Sequence, residues 1–142
     1  MKANELRIGN LVYTNSRWDK NGISIVNKIS AIDIQVRTNG VYQTYYLHEQ
    51  INPIPLTEEW HNKFGVIKNG FESFEYVLPR KNNISLKVIF TGDYVMLKQG
   101  EGTPQDDIVS IWNKDITKRD MFVHEWQNLY FALNGEELTI NP

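Results

Sequence analysis

Along residues 33–49 apolar and polar positions alternate with a period of two, first in "DIQVRT" and then in "VYQTYYLHE". Successive side chains of a strand face opposite ways, so the alternation predicts two strands. Between them stands Asn39-Gly40, the pair preferred in type I′ hairpin turns because both residues tolerate positive φ. A two-residue loop pairs Thr38 with Val41, Val36 with Gln43 and Ile34 with Tyr45 on one face. The other face pairs Arg37 with Tyr42, Gln35 with Thr44 and Asp33 with Tyr46. In this register Ile34, Val36, Tyr45 and Leu47 point inward. Arg37, Tyr42, Thr44, Tyr46 and His48 then share an outer or interdomain face, the candidate ligand- or partner-binding surface. Its plain alternative is a solvated sheet face, since tyrosine suits strands whether or not it binds anything.

Upstream, "LRIGNLVYT" and "ISIVNKI" read as two more strands joined by a polar loop around Trp18. "INPIPL" holds Pro53 and Pro55, which suit an edge strand or an extended exit. These short strands predict a small SH3-like antiparallel β-barrel over residues 1–56. The pattern then changes. Thr57 caps a short helix with Glu58 and Glu59 in its first turn, Trp60 and Phe64 on one face, and Gly65 as its stop. Strands follow in "FESFEYVLP", "ISLKVIF", "YVMLKQ" and "IVSIW", with Gly92-Asp93 as a two-residue turn. The final segment predicts a helix capped by Asp120, with Phe122, Trp126, Leu129, Tyr130 and Leu133 as its apolar stripe and Asn134-Gly135 as its C-cap. "ELTI" adds a short last strand. The expected fold class is α+β, with residues 57–142 forming an antiparallel sheet packed by the C-terminal helix.

Composition narrows the function more than the fold. The 142 residues are 41% hydrophobic, 23% charged and 12% aromatic, ordinary for a globular chain and too aromatic for disorder. Fifteen basic and 17 acidic residues are interspersed, for a net charge of −2. No basic stripe is visible, which argues against a nucleic-acid partner. The absence of cysteine excludes disulfides, thiolate catalysis and cysteine-ligated zinc. With no apolar leader and no long apolar run, the expectation is a cytoplasmic protein without a membrane partner. The sequon Asn83-Ile84-Ser85 then reads as chance.

Candidate chemistry is sparse. His48, His61 and His124 lie too far apart for zinc-ligand spacing. Glu58-x-x-His61 is half of a di-iron motif whose second copy and long helices are missing, so a solvated helix face is expected. His48-Glu49 and His124-Glu125 are neighbours that diverge on a strand or helix, and His124 is expected to be exposed. No Gly-x-Ser-x-Gly occurs. Gly100-Glu101-Gly102-Thr103-Pro104 lacks the rest of a phosphate loop. Asp93, Asp106, Asp107 and Asp115 fit no calcium loop. The sequence therefore predicts no catalytic set, no metal and no cofactor. Phe131 lies with Gln127 and His124 away from the main stripe, to cover a strand edge or to mark a partner-binding patch.

Three stretches, "KANELRIGN", "PIPLTEEWHNKFG" and "WQNLYFALNGEEL", together resemble a family of small uncharacterised proteins encoded by Bacteroidetes bacteria and their phages or mobile elements. The resemblance implies a genomic setting and no functional residues. Two readings follow. One is a non-catalytic interaction module, an accessory protein that binds a host or phage protein and modulates a defence system. The other is a small-ligand or nucleotide-binding protein using the polar aromatic face. Oligomeric state is not legible.

Overall fold

The computed structural model describes residues 1–15, 20–38, 42–69, 75–78, 85–90, 95–100, 107–111 and 121–140. The turn residues Asn39-Gly40 and Gly92-Asp93, the loop around Trp18, residues 101–106, Asp115 and the expected cap Asp120 lie outside them. The chain divides into two units, Met1–Leu56 with Met121–Leu138, and Thr57–Asp120 with Thr139–Pro142.

In the first unit, β1 (Leu11–Asn15), β2 (Lys20–Ile29), β3 (Asp33–Thr38), β4 (Tyr42–Leu47) and β5 (Ile51–Asn52) form an antiparallel sheet in the order β4-β3-β2-β1-β5. A 3-10 turn, His48–Gln50, leads from β4 into β5. Among the described residues no pairing joins β4 to β5, so the sheet is open where a closed barrel was expected. Its inner face buries Val12, Val26, Ile34, Val36 and Ile51 with Leu6, and Met1, Ile29 and Tyr46 pack against that cluster. Ser24 and Thr38 also face inward, and their hydroxyls satisfy each other at 2.7 Å. A bulge at Asn27 shifts the alternation of β2 by one residue, so that Ile29 rather than Lys28 follows Val26 on the inner face, opposite Ile34.

The helix α2 (Val123–Asn134) completes this unit. The sequence placed it on the second sheet; it packs instead with β1, its entry tied by the Pro55–Phe122 bridge and the Val123 N–H to Ile54 C=O bond (2.9 Å). Of the expected stripe Trp126 is fully buried and Tyr130 nearly so, while Phe122, Leu129 and Leu133 are half-buried. Gly135 adopts the left-handed conformation (φ 70°) and its N–H closes on Phe131 C=O, the expected C-cap. Residues 137–140 form no strand.

The second unit is α+β by itself. The helix α1 (Glu58–Lys63) buries Trp60, and Phe64 directly after it is also buried, with ring centroids 5.7 Å apart. A meander follows, β6 (Ile67–Asn69), β7 (Glu75–Val77), β8 (Ser85–Phe90), β9 (Val95–Gly100) and β10 (Asp107–Ile111), each strand antiparallel to the next. Phe90 pairs with Val95, the register that a Gly92-Asp93 turn demands.

Candidate functional site

The β3–β4 register differs by one residue from the one read in the sequence. Asp33 pairs with Leu47, Ile34 with Tyr46, Gln35 with Tyr45, Val36 with Thr44, Arg37 with Gln43, and Thr38 with Tyr42. Three residues rather than two separate the paired ends Thr38 and Tyr42. A one-residue slip exchanges the two faces of a strand. Tyr46 therefore packs against the core with Ile34, while Tyr45 is 56% exposed and Leu47 46% exposed. The expected burial of Tyr45 and Leu47 is overturned. The reason lies in β4 itself: both of its faces carry tyrosine, so hydrophobicity does not select one, and the connection length decides.

The predicted site residues are consequently not brought together. Arg37 faces outward beside Gln43; Thr44, itself exposed, and Tyr46 lie on the opposite face. Tyr42 pairs with Thr38, and its side chain lies outside the described residues. His48 sits in the 3-10 turn, where its Nε2 donates to Ser30 C=O (3.1 Å). That bond fastens it to the β2–β3 turn, which Ser30 and Asp33 close through a 2.6 Å side-chain hydrogen bond. Phe131 lies under the Arg7 guanidinium, 3.4 Å from its ring centroid, and Arg7 reaches Glu137 at 2.6 Å. Phe131 is thus covered by its own chain.

The outward face that replaces the expected one is built from three strands. Across it runs a ladder of side-chain amides: Asn27 Nδ2 donates to Gln35 Oε1 (3.1 Å), and Gln35 Nε2 donates to Gln43 Oε1 (3.3 Å). Arg37 stands in the neighbouring row between Ile25 and Gln43, exposed and with no ion pair among the described residues. Ile23, Tyr45 and Leu47 add exposed apolar surface. The sequence signal was present in "QVRTNGVYQTYYL", but only the register could sort it.

A concavity of about 190 Å³ lies at the start of α2 and is lined by Met1, Glu5, Pro53, Phe122, His124 and Glu125. His124 was expected to be exposed; it is buried, stacked 5.9 Å from Phe122, and its Nδ1 has no hydrogen-bond partner among the described residues. Burial pushes its imidazole below the ordinary histidine range; Glu125 and Glu5 oppose the shift and the Met1 ammonium adds to it. Both carboxylates are already engaged, Glu5 by Lys2 N–H (3.0 Å) and Glu125 by Phe122 N–H (2.9 Å). The Met1 ammonium donates to His48 C=O (3.2 Å) and Ile51 C=O (3.4 Å). These bonds fix the positions of the side chains and the amino terminus that line it.

Gln127, missed as a structural residue, is buried and clamps β1: its Oε1 accepts Leu11 N–H (2.8 Å), and its Nε2 donates to Gly9 C=O (3.3 Å) and Leu138 C=O (3.4 Å). In the second unit His61 packs on Tyr76, centroids 4.5 Å apart, rather than on a solvated face. Burial and then Lys68 lower its pKa, against Glu58; burial and then Glu58 raise that of Tyr76. Among the described residues no group of three His, Asp or Glu side chains is placed to hold a metal ion, and no helix is long and apolar enough to cross a membrane. Comparison with protein-family models, curated proteins and solved structures gives no match to this chain.

Proposed function

We propose that this protein is a non-catalytic interaction module that binds a protein partner through the outward face of its N-terminal sheet. The observation that carries the reading is the exposure of Tyr45 and Leu47 on the edge strand β4, on the same face as Arg37 of β3, so that an aromatic ring, an aliphatic side chain and a guanidinium share one surface. Aromatic residues and arginine are the side chains enriched where proteins bind proteins. We read the sheet as an opened SH3-like barrel, because its fifth strand returns to the first after a 3-10 turn and leaves β4 at the edge. The three sequence landmarks support a setting in phages or mobile elements of Bacteroidetes. There the protein acts as a cytoplasmic accessory factor whose partner is a host or phage protein, with modulation of a defence system as its role.

The alternative, a small ligand or nucleotide held by Arg37, Tyr42, Thr44, Tyr46 and His48, has less support, because Arg37 and Tyr46 lie on opposite faces. A photo-crosslinking residue at position 45, expressed in the native host, tests the leading reading. It should yield a discrete protein adduct that Arg37→Glu removes and that the same residue at position 32, on the exposed β2–β3 turn, does not give. Adducts that are equal at both positions, or indifferent to Arg37→Glu, contradict it.

A further inference from the structure

We propose that β4 is a docking strand: an extended segment of the partner adds to the free edge of the N-terminal sheet and places a carboxylate side chain against Gln43 and Arg37. The proposal rests on reading the outward face as a protein-binding surface and names how that surface is used.

Three observations carry it. The first is the orientation of the main chain. Leu47 N–H is taken by Gln50 Oε1 (2.9 Å), so it points away from β3. Hydrogen-bonding direction alternates along a strand, so Gln43 and Tyr45 also turn their N–H and C=O groups to the open side, whereas Thr44 and Tyr46 bond to β3. Among the described residues no backbone group meets the open side of Gln43 or Tyr45. Gln50 closes the edge at Leu47 and so fixes where an added strand must stop. Unpaired edge groups of this kind are the template for strand addition.

The second observation is the direction of the amide ladder. Asn27 donates to Gln35 and Gln35 donates to Gln43, so the series leaves the Gln43 amide nitrogen as its terminal donor, on an exposed side chain of the edge strand. A residue opposite Gln43 on an added strand would stand where the ladder continues, and it must bring an acceptor. The third observation selects the charge of that acceptor. Arg37 is the direct cross-strand partner of Gln43 and makes no ion pair among the described residues. A carboxylate meets both donors, and charge-assisted bonds of this type are the stronger ones. Residues two positions to either side of the carboxylate share its face, and the one nearest Tyr45 and Leu47 is apolar, covering those side chains.

The test is panning of a library of short random peptides on the full chain, followed by affinity measurements on the enriched peptides. Enriched sequences should fix Asp or Glu at one position with an apolar residue two away. Arg37→Glu should weaken them by about tenfold or more. Gln43→Pro removes an N–H that faces away from β3, so it should leave the fold intact and abolish binding, whereas Gln43→Ala should only weaken it. Peptides without a fixed acidic position, or peptides indifferent to Arg37→Glu, overturn the proposal, and Arg37→Glu keeps the test decisive if Gln43→Pro does not fold. No enrichment while the position-45 adduct persists overturns strand addition and leaves the protein-binding reading standing. Loss of both removes the two together.

Discussion

Tyr46 stands directly opposite Ile34 across the β3–β4 pair, and it packs against the cluster that Ile34 forms with Val12, Val26, Val36 and Ile51. Its neighbour Tyr45 pairs with Gln35 and projects from the other face. Two adjacent residues of one type are thereby given different tasks. Tyr46→Ala should destabilise the protein by about 1–3 kcal/mol, the range for losing part of a buried ring, whereas Tyr45→Ala should stay within about 0.5 kcal/mol. Urea denaturation of the two variants checks the order, and equal losses would contradict it.

Gln127 should prove to be a structural keystone of the first unit. Its side chain serves one N–H and two C=O groups, those of Leu11, Gly9 and Leu138. Gln127→Leu keeps the volume and leaves those groups without their partner, at about 1–3 kcal/mol for each one stranded in the interior. Thermal melting should show the loss. A melting temperature equal to that of the parent would mean that water reaches this clamp.

Stability should fall on acidification because of His124 and His61. Both are held neutral in the fold by burial, so their folded pKa values lie below the ordinary value of about 6.5. In that window the unfolded chain binds more protons than the folded one. The stability difference is fully present above the unfolded value and is lost as pH falls through it toward the folded values. Denaturation at a series of pH values should give a plateau above about pH 7.5 and a declining acid limb. His124→Gln and His61→Gln should each flatten that limb. An acid limb unchanged in both variants would place the titration elsewhere.

The two hairpin turns show how far the sequence could be read. Gly92-Asp93 implies Phe90 opposite Val95, and that pairing is found; clean alternation in "ISLKVIF" and turn chemistry agreed, leaving one register. Asn39-Gly40 implied Thr38 opposite Val41, and the pairing shifts to Tyr42. There "YQTYYL" offers a tyrosine to either face, so a turn motif alone carried the decision and gave the wrong face. The final helix was legible in its existence and its Gly135 cap, whereas its buried face, Val123, His124, Trp126, Gln127 and Tyr130, shares only Trp126 and Tyr130 with the stripe. Its docking was not, because the Gln127 clamp joins it to residues 116 and more positions away through groups that no periodicity reports. His124 was misread for the same reason: its side of α2 is covered by the N-terminal segment, whose Glu5 and Met1 line the same cavity.

The outward face exists only in the observed β3–β4 register, and cross-strand nuclear Overhauser contacts measure that register directly. Pairs that do not exchange hydrogen bonds bring their Cα atoms closest in an antiparallel ladder, to about 4.5 Å. Strong Hα–Hα contacts should therefore join Gln35 to Tyr45 and Arg37 to Gln43. Contacts of Arg37 with Tyr42 or of Gln35 with Thr44 in their place would restore the two-residue turn, send Tyr45 into the core and remove the proposed binding face.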